Sequence, residues 1–392
     1  MIDYNSIMSR RIQEVKPSGI RRFFDLANGS GIADIISLSI GEPDFSTPWH
    51  IRRAAIDSIE KGRTYYSPNR GFAELLDGIS AYFDRRFHLK YDPATEILVT
   101  VGGSEAIDCA IRTLVEPGDE VLIPQPSFVC YEPLTQMAGG VPVPLVTRAA
   151  DSFRLTAETL RSAITPRTKL LILPYPNNPT GGVMRREHLE AIAEVLRGTN
   201  IMILSDEIYA ELTYGHTPHV SIASIDGMRE RTIVINGFSK AFAMTGWRLG
   251  YALGPAEVIR QMTKLHQFGI MSAPTTAQFG AVEAMKNGDI DIENMRCEYD
   301  MRRRMIVERL RTMGLDCFEP EGAFYVFPSI QSTGYSSEKF CTQLLQKEHV
   351  AVVPGSAFGA SGEGFVRISY SYSMKHLTDA MERIERFLHE KR

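Results

Sequence analysis

The chain has 392 residues, of which 44% are hydrophobic and 23% charged. That length predicts roughly two to three domains at ~150 residues each, and the composition excludes disorder as the main state. Forty-three basic against 47 acidic residues give a net charge of −4, so no basic field is offered to nucleic acid.

The N-terminus, MIDYNSIMSRRIQEVKPSG, is polar and lacks the apolar core of a signal peptide. No apolar run approaches the ~18 residues of a membrane span, and the cytosol is the expected compartment. Five cysteines are scattered and never spaced C-x-x-C, which argues against a disulfide framework and a structural zinc site.

In chain order, residues 1–46 are too short for a domain and are expected to pack on the C-terminal one. Thr47-Pro48 offers a capping hydroxyl and a proline at the first helical position, predicting a helix to about Lys61. Seven strand-length apolar runs follow: Ile97–Val101, Glu120–Pro124, Val141–Val146, Lys169–Pro174, Ile201–Ser205, Thr232–Asn236 and Arg248–Leu253. Helical spacing lies between them, as in Ser104–Leu114 and Arg186–Leu196. This alternation predicts an α/β domain, residues 47–286, with a largely parallel sheet covered on both faces. Asn287-Gly288-Asp289 breaks the pattern. A long charged helix to Met313, short strands (Phe324–Phe327, Phe365–Tyr370) and helices (Ser336–Glu348, Met374–His389) then predict a smaller α+β domain, 287–392.

In parallel sheets ligands sit beyond the carboxyl ends of strands. Four predicted strand ends carry unusual residues. Gly102-Gly103-Ser104-Glu105 before a helix is either a phosphate cradle or a plain turn with Ser104 as cap. Asn177-Asn178-Pro179-Thr180-Gly181 is a loop whose amides could also reach a ligand oxygen. Asp206, after a buried strand, is costly without a cation, unless it caps a helix. Lys240 lies among small and apolar neighbours, where desolvation lowers an amine's pKa and makes it a Schiff-base nucleophile, although most lysines are simply solvated. Arg248 can grip a phosphate bidentately. Taken together, the four ends describe one cofactor: pyridoxal phosphate needs a lysine, a carboxylate at its ring nitrogen, hydrogen-bond partners at O3′ and a phosphate site.

The chain resembles the fold-type I pyridoxal-phosphate aminotransferases of class I/II, in the group of bacterial aspartate and aromatic enzymes. It is particularly similar to those assigned to N-acetyl-diaminopimelate. The resemblance runs from Ser39-Ile40-Gly41-Glu42-Pro43-Asp44-Phe45 through Tyr65-Tyr66-Ser67-Pro68, Pro174–Gly181, Ser205–Tyr209 and Ser239–Arg248 to Pro354–Gly359 and Phe365–Ser369. It implies a seven-stranded large domain and a ping-pong transfer from an L-amino acid to a 2-oxo acid. Lys240 would hold the cofactor and shuttle the proton, Asp206 would pair with the pyridine nitrogen, and Tyr209 and Asn178 would bond O3′. Gly103, Ser104, Glu105, Ser239 and Arg248 would surround the phosphate, and Phe128 would stack on the ring. Arg367 would take the substrate α-carboxylate, helped by Asn178 and Gly41, and Tyr65 would reach the phosphate of the other subunit of a homodimer. Side-chain selection is expected from Gly19-Ile20, Ile40 and partner residues near Gly269–Ala273. Phe128 replaces a frequent Trp at the stacking position, and Ser104 stands where some aspartate-preferring relatives carry lysine, so strict aspartate preference is not implied.

Other nucleotide and hydrolase signatures are missing: there is no G-x-G-x-x-G, no P-loop and no G-x-S-x-G. A regulator with an aminotransferase-like domain would need a DNA-binding domain, for which the ~35 residues before the first motif leave no room. A pyridoxal-phosphate β-lyase on the same fold remains the alternative, since Lys240 and Arg367 would serve both reactions.

Overall fold

The computed structural model describes residues 2–29, 34–215 and 218–389. Seven strands form the central sheet: β1 (Ile97–Thr100), β2 (Glu120–Gln125), β3 (Val141–Val146), β4 (Thr168–Leu173), β5 (Met202–Asp206), β6 (Thr232–Gly237) and β7 (Gly250–Leu253). Their order is β1-β7-β6-β5-β4-β2-β3. All pairings are parallel except those of β7, which runs against both β1 and β6.

The near-continuous Val/Ile/Leu runs are explained by burial on two faces. Leu170, Ile172, Leu204, Ile233 and Ile235 pack on one side with Ala106, Ala110 and Ile259, from the helices Gly102–Leu114 and Ala256–Gly269. Leu171, Leu173 and Ile203 pack on the other with Leu189, Ile192 and Leu196, from the helix Arg186–Leu196. Alternate residues of one strand therefore feed two separate cores, as the two-residue period requires.

Three local expectations are corrected. The helix that begins at Trp49 is not capped by Thr47. That hydroxyl donates to the Ala243 carbonyl at 2.6 Å and accepts Trp247 Nε1 at 3.0 Å, a tertiary bond replacing a local one. The run expected as Arg248–Leu253 becomes strand only from Gly250, because Arg248 is left-handed at φ 53°. The helix expected from Ser104 starts earlier, at Gly102.

A smaller antiparallel sheet joins Val353–Pro354, Val366–Ser369 and Tyr325–Val326. The N-terminal segment is tied beside it. Ile36–Ser37 pairs in parallel with Val350–Ala351, Leu38 N–H donates to the Ala351 carbonyl at 2.8 Å, and Ser369 N–H donates to the Leu38 carbonyl at 3.0 Å. These bonds carry Ser39–Gly41 alongside Arg367. Among the described residues no helix is long and apolar enough to cross a membrane.

Candidate active site

A cavity of about 600 Å³ opens beyond the carboxyl ends of β1, β2, β4, β5 and β6. This is the size and place expected of a small-molecule site in an α/β sheet. Because β7 runs backwards, its first residues arrive at the same end of the sheet. Arg248, two residues before β7, therefore faces the turn after β1.

The turn after β1 is shaped by close approach. Gly102 has φ +75°, and a Cβ there would lie 2.6 Å from Arg248 Nη2. Glycine is what lets the guanidinium lie against the start of the helix Gly102–Leu114. Gly103 and Ser104 line the cavity at that helix N-terminus, where free N–H groups favour an anion. Arg248 Nη1 donates to the Thr245 carbonyl at 2.9 Å, and Arg248 forms no ion pair among the described residues.

β5 ends in Asp206, which is 7% exposed. Its Oδ2 accepts the Tyr131 hydroxyl at 2.7 Å and its Oδ1 accepts Ile208 N–H at 3.2 Å. Burial pushes this carboxyl up to about 6, against the opposing pull of those two donors. β6 leads into Lys240, which is half-buried and whose Nζ donates to the Gly41 carbonyl at 2.7 Å. Burial lowers its pKa to about 8; Glu42 opposes that shift, and Arg367 and Arg248 reinforce it. Gly41 is itself a close approach, since a Cβ there would meet the Tyr325 hydroxyl at 2.0 Å.

Arg367 is 2% exposed and pairs with no carboxylate among the described residues. Nη1 donates to Asn178 Oδ1 at 3.0 Å, Nη2 donates to the Ser39 carbonyl, and Nε is buried without a partner. The guanidinium lies 4.6 Å from the Tyr325 ring centroid and 5.0 Å from that of Phe358. Burial lowers its pKa, which measures how poorly the charge is compensated. Tyr209 shares a hydrogen bond of 2.7 Å with Tyr325. The cavity wall thus carries Arg21, Lys240, Arg248 and Arg367 against Glu42 and Asp206. Its electrostatics favour an anionic guest with more than one negative group.

Comparison with known proteins agrees with this geometry. The family model for aminotransferase class I and II matches residues 33–384. The chain belongs to the class I and II aminotransferases. YugH of Bacillus subtilis, which carries a provisional aminotransferase name, is 51% identical over 98% of this chain and 99% of its own. A second chain of that organism, provisionally named N-acetyl-LL-diaminopimelate aminotransferase, is 44% identical over 98% and 97%. The solved aromatic aminotransferase of Pyrococcus horikoshii superposes with a TM-score of 0.89 at 44% identity, covering 95% of this chain and 99% of that one.

In this aminotransferase the cavity gathers Gly41, Gly103, Ser104, Phe128, Asn178, Asp206, Tyr209, Ser239, Lys240, Arg248 and Arg367. Two expected residues do not line it. The Glu105 side chain turns away, its carboxylate accepting Val101 N–H and His266 Nδ1–H, so only its backbone is left for a ligand. Tyr65 is 82% exposed and belongs to the outer surface of its own chain. Tyr131, Tyr325, Glu42 and Thr245 line the cavity without having been singled out from the sequence. Tyr131 lies three residues past Phe128, and the sequence gives no sign that it reaches Asp206. Tyr325 sits in a two-residue strand whose partner, Tyr209, is remote in sequence.

Proposed function

We propose that this aminotransferase moves an amino group from an L-amino acid to a 2-oxo acid in two half-reactions, with pyridoxal phosphate as its cofactor. The observation that carries the reading is a buried Arg367 without a carboxylate partner, facing the same cavity as Lys240 and Asp206. A buried cation of this kind calls for a ligand carboxylate. The cofactor fits the remaining groups. Asp206, pushed up to about 6 by burial, is short of a cationic N–H, which a ring nitrogen would provide. Gly102, whose Cβ would strike Arg248, lets the guanidinium lie against the helix start, so that it and the helix N–H groups can grip one phosphate from the cavity side. Ser104, Ser239 and the Gly103 N–H complete that end, and Phe128 offers its ring as the stacking face.

When bound, pyridoxal phosphate supplies an electron sink for the charge left at the substrate Cα. The chain supplies the rest. Arg367 and Asn178 fix the α-carboxylate, which orients the Cα–H bond. Lys240 Nζ, brought down to about 8, is partly unprotonated near neutral pH, the form that bonds a carbonyl and takes up a proton. Asp206 holds its partner's N–H and so favours the protonated ring, with Tyr131 fixing the carboxylate and Tyr209 placed for O3′.

The relatives' names divide among aspartate, aromatic and N-acetyl-diaminopimelate aminotransferases, and the donor is chosen by side chains at the cavity mouth such as Ile20, Arg21 and Ile40. We further propose that the active unit is a homodimer in which Tyr65 reaches the partner's phosphate. A panel of amino acids with 2-oxoglutarate tests the reading. Transfer, with the cofactor spectrum restored by the oxo acid, is expected; elimination to pyruvate without restoration would overturn it in favour of a lyase.

A further inference from the structure

Glu105 stands next to the cavity-lining Ser104, yet its side chain points elsewhere. One carboxylate oxygen accepts Val101 N–H, in the Thr100–Val101 peptide that leads into the helix Gly102–Leu114. The other accepts Nδ1–H of His266 at 2.7 Å. A carboxylate can only accept, so the proton lies on Nδ1. His266 comes from the helix Ala256–Gly269 and is fully buried, at 0% exposure. Its Nε2 has no partner. The surrounding contact between the two helices is apolar, with Ala106, Ala110, Ile259 and Met262 in one cluster. A leucine would pack there without the cost of a buried, half-satisfied imidazole. The hydrogen bond to Glu105 is what an apolar residue at this position could not supply.

We propose that Glu105 and His266 form a positioning pair for the phosphate end of the cofactor site. The inference rests on the pyridoxal-phosphate reading. Glu105 pins the Thr100–Val101 peptide at the entry to the helix, which fixes the direction of the Gly103 and Ser104 N–H groups. His266 holds the carboxylate against that peptide and away from the cavity. Without it, an unrestrained negative charge would sit two residues from Gly103, where it repels a phosphate. In metal sites, partners that orient the ligating side chains in this way change affinity by roughly 10–100-fold, and an effect of about tenfold is expected here.

The test compares two ligands on the loaded protein. Wild type, His266→Leu, His266→Asn and Glu105→Ala are saturated with pyridoxal phosphate or with phosphate-free pyridoxal. Loss of each is followed by visible absorbance after dilution. His266→Leu should lose pyridoxal phosphate about tenfold faster than wild type and pyridoxal at an unchanged rate. His266→Asn, whose amide N–H can replace Nδ1–H, should behave close to wild type. Glu105→Ala frees the Thr100–Val101 peptide without leaving a charge, and should also lose only the phosphorylated ligand faster; it keeps the test open should His266→Leu not fold. Wild-type retention in both Glu105→Ala and any folded His266→Leu would overturn the proposal. So would equal acceleration for the two ligands, the mark of a merely loosened fold. A wild-type chain that retained neither ligand would overturn the cofactor reading itself, and this inference with it.

Discussion

Asp206 carries its charge in a place where the protein alone can barely support it. Burial raises its carboxyl to about 6, from an ordinary value near ~3.9 in an unfolded chain. The sign follows from linkage. The folded state binds this proton more tightly, so the penalty is full above pH ~6 and disappears as the pH falls through 6 towards 4. The displacement is worth roughly 3 kcal/mol at most. Asp206→Asn should therefore raise the Tm of the cofactor-free protein at pH 8, with a gain that shrinks below pH 6. The same substitution should slow Cα proton removal in the loaded enzyme by several orders of magnitude. Thermal unfolding at pH 5 and 8, with and without cofactor, checks the first part; a gain that grows in acid would contradict it. Arg367→Lys should raise KM for amino and oxo acids alike, because an ammonium cannot reproduce the planar fork that meets a carboxylate. Steady-state kinetics with acidic and aromatic donors read this directly, and a loss confined to acidic donors would make Arg367 a side-chain reader. At this scale Lys240 and Asp206 stood out because each sets a charge against an apolar run, while Arg367 entered through the family resemblance. Tyr131 and Tyr325 did neither. Their hydroxyls meet Asp206 and Tyr209 only through tertiary contact, and a tyrosine in an apolar setting looks like core.

The strands were legible as runs, and their ends fell within a residue of the predicted ones, except for the start of β7, which comes two residues late. The direction of a strand is not written in its composition, and the reversal of β7 is what delivers Arg248 to the cavity. Close backbone packing made that delivery possible. Thr100, Gly250 and Gly237 sit in register across β1, β7 and β6. A Cβ on Gly250 would lie 2.6 Å from both the Gly102 carbonyl carbon and the Gly103 nitrogen. Both are main-chain atoms, so the phosphate turn must move to admit it. Gly250→Ala should cost about 1–3 kcal/mol of stability, as overpacking does, and should speed loss of bound pyridoxal phosphate. Thermal unfolding and cofactor retention measure the two effects; wild-type retention would mean that the turn is not held by this contact. Thr47 failed as a cap for a related reason. Capping rules weigh local partners only, and the Ala243 carbonyl and Trp247 indole compete from 196 and 200 residues away.

The two-part division expected at residue 287 is a proposal about the whole molecule, as is the dimer. One observation supports a partner surface. Tyr65, Tyr66 and Phe268 are exposed by 82%, 84% and 87%, with Ile270 and Met271 half-exposed beside them in the chain. Large aromatics held in water are a common mark of an interface. The Met271 carbonyl accepts Asn69 Nδ2 at 2.8 Å, and the Tyr65 carbonyl accepts the Thr275 hydroxyl, so both stretches belong to one surface region. A mixed dimer tests the role of Tyr65. Refolding Lys240→Ala chains with Tyr65→Phe chains should create one site that has both groups intact. Activity per remaining Lys240 should then exceed that of the Tyr65→Phe homodimer; no rise, given a measurable defect in that homodimer, would place Tyr65 in cis. The proposal that the cofactor attaches at Lys240 is central, and borohydride reduction of the loaded protein followed by peptide mapping tests it most directly. One phosphopyridoxyl group per chain, on the peptide that carries Lys240, is the expected result. The group on any other lysine, or a chain that carries none, would contradict it.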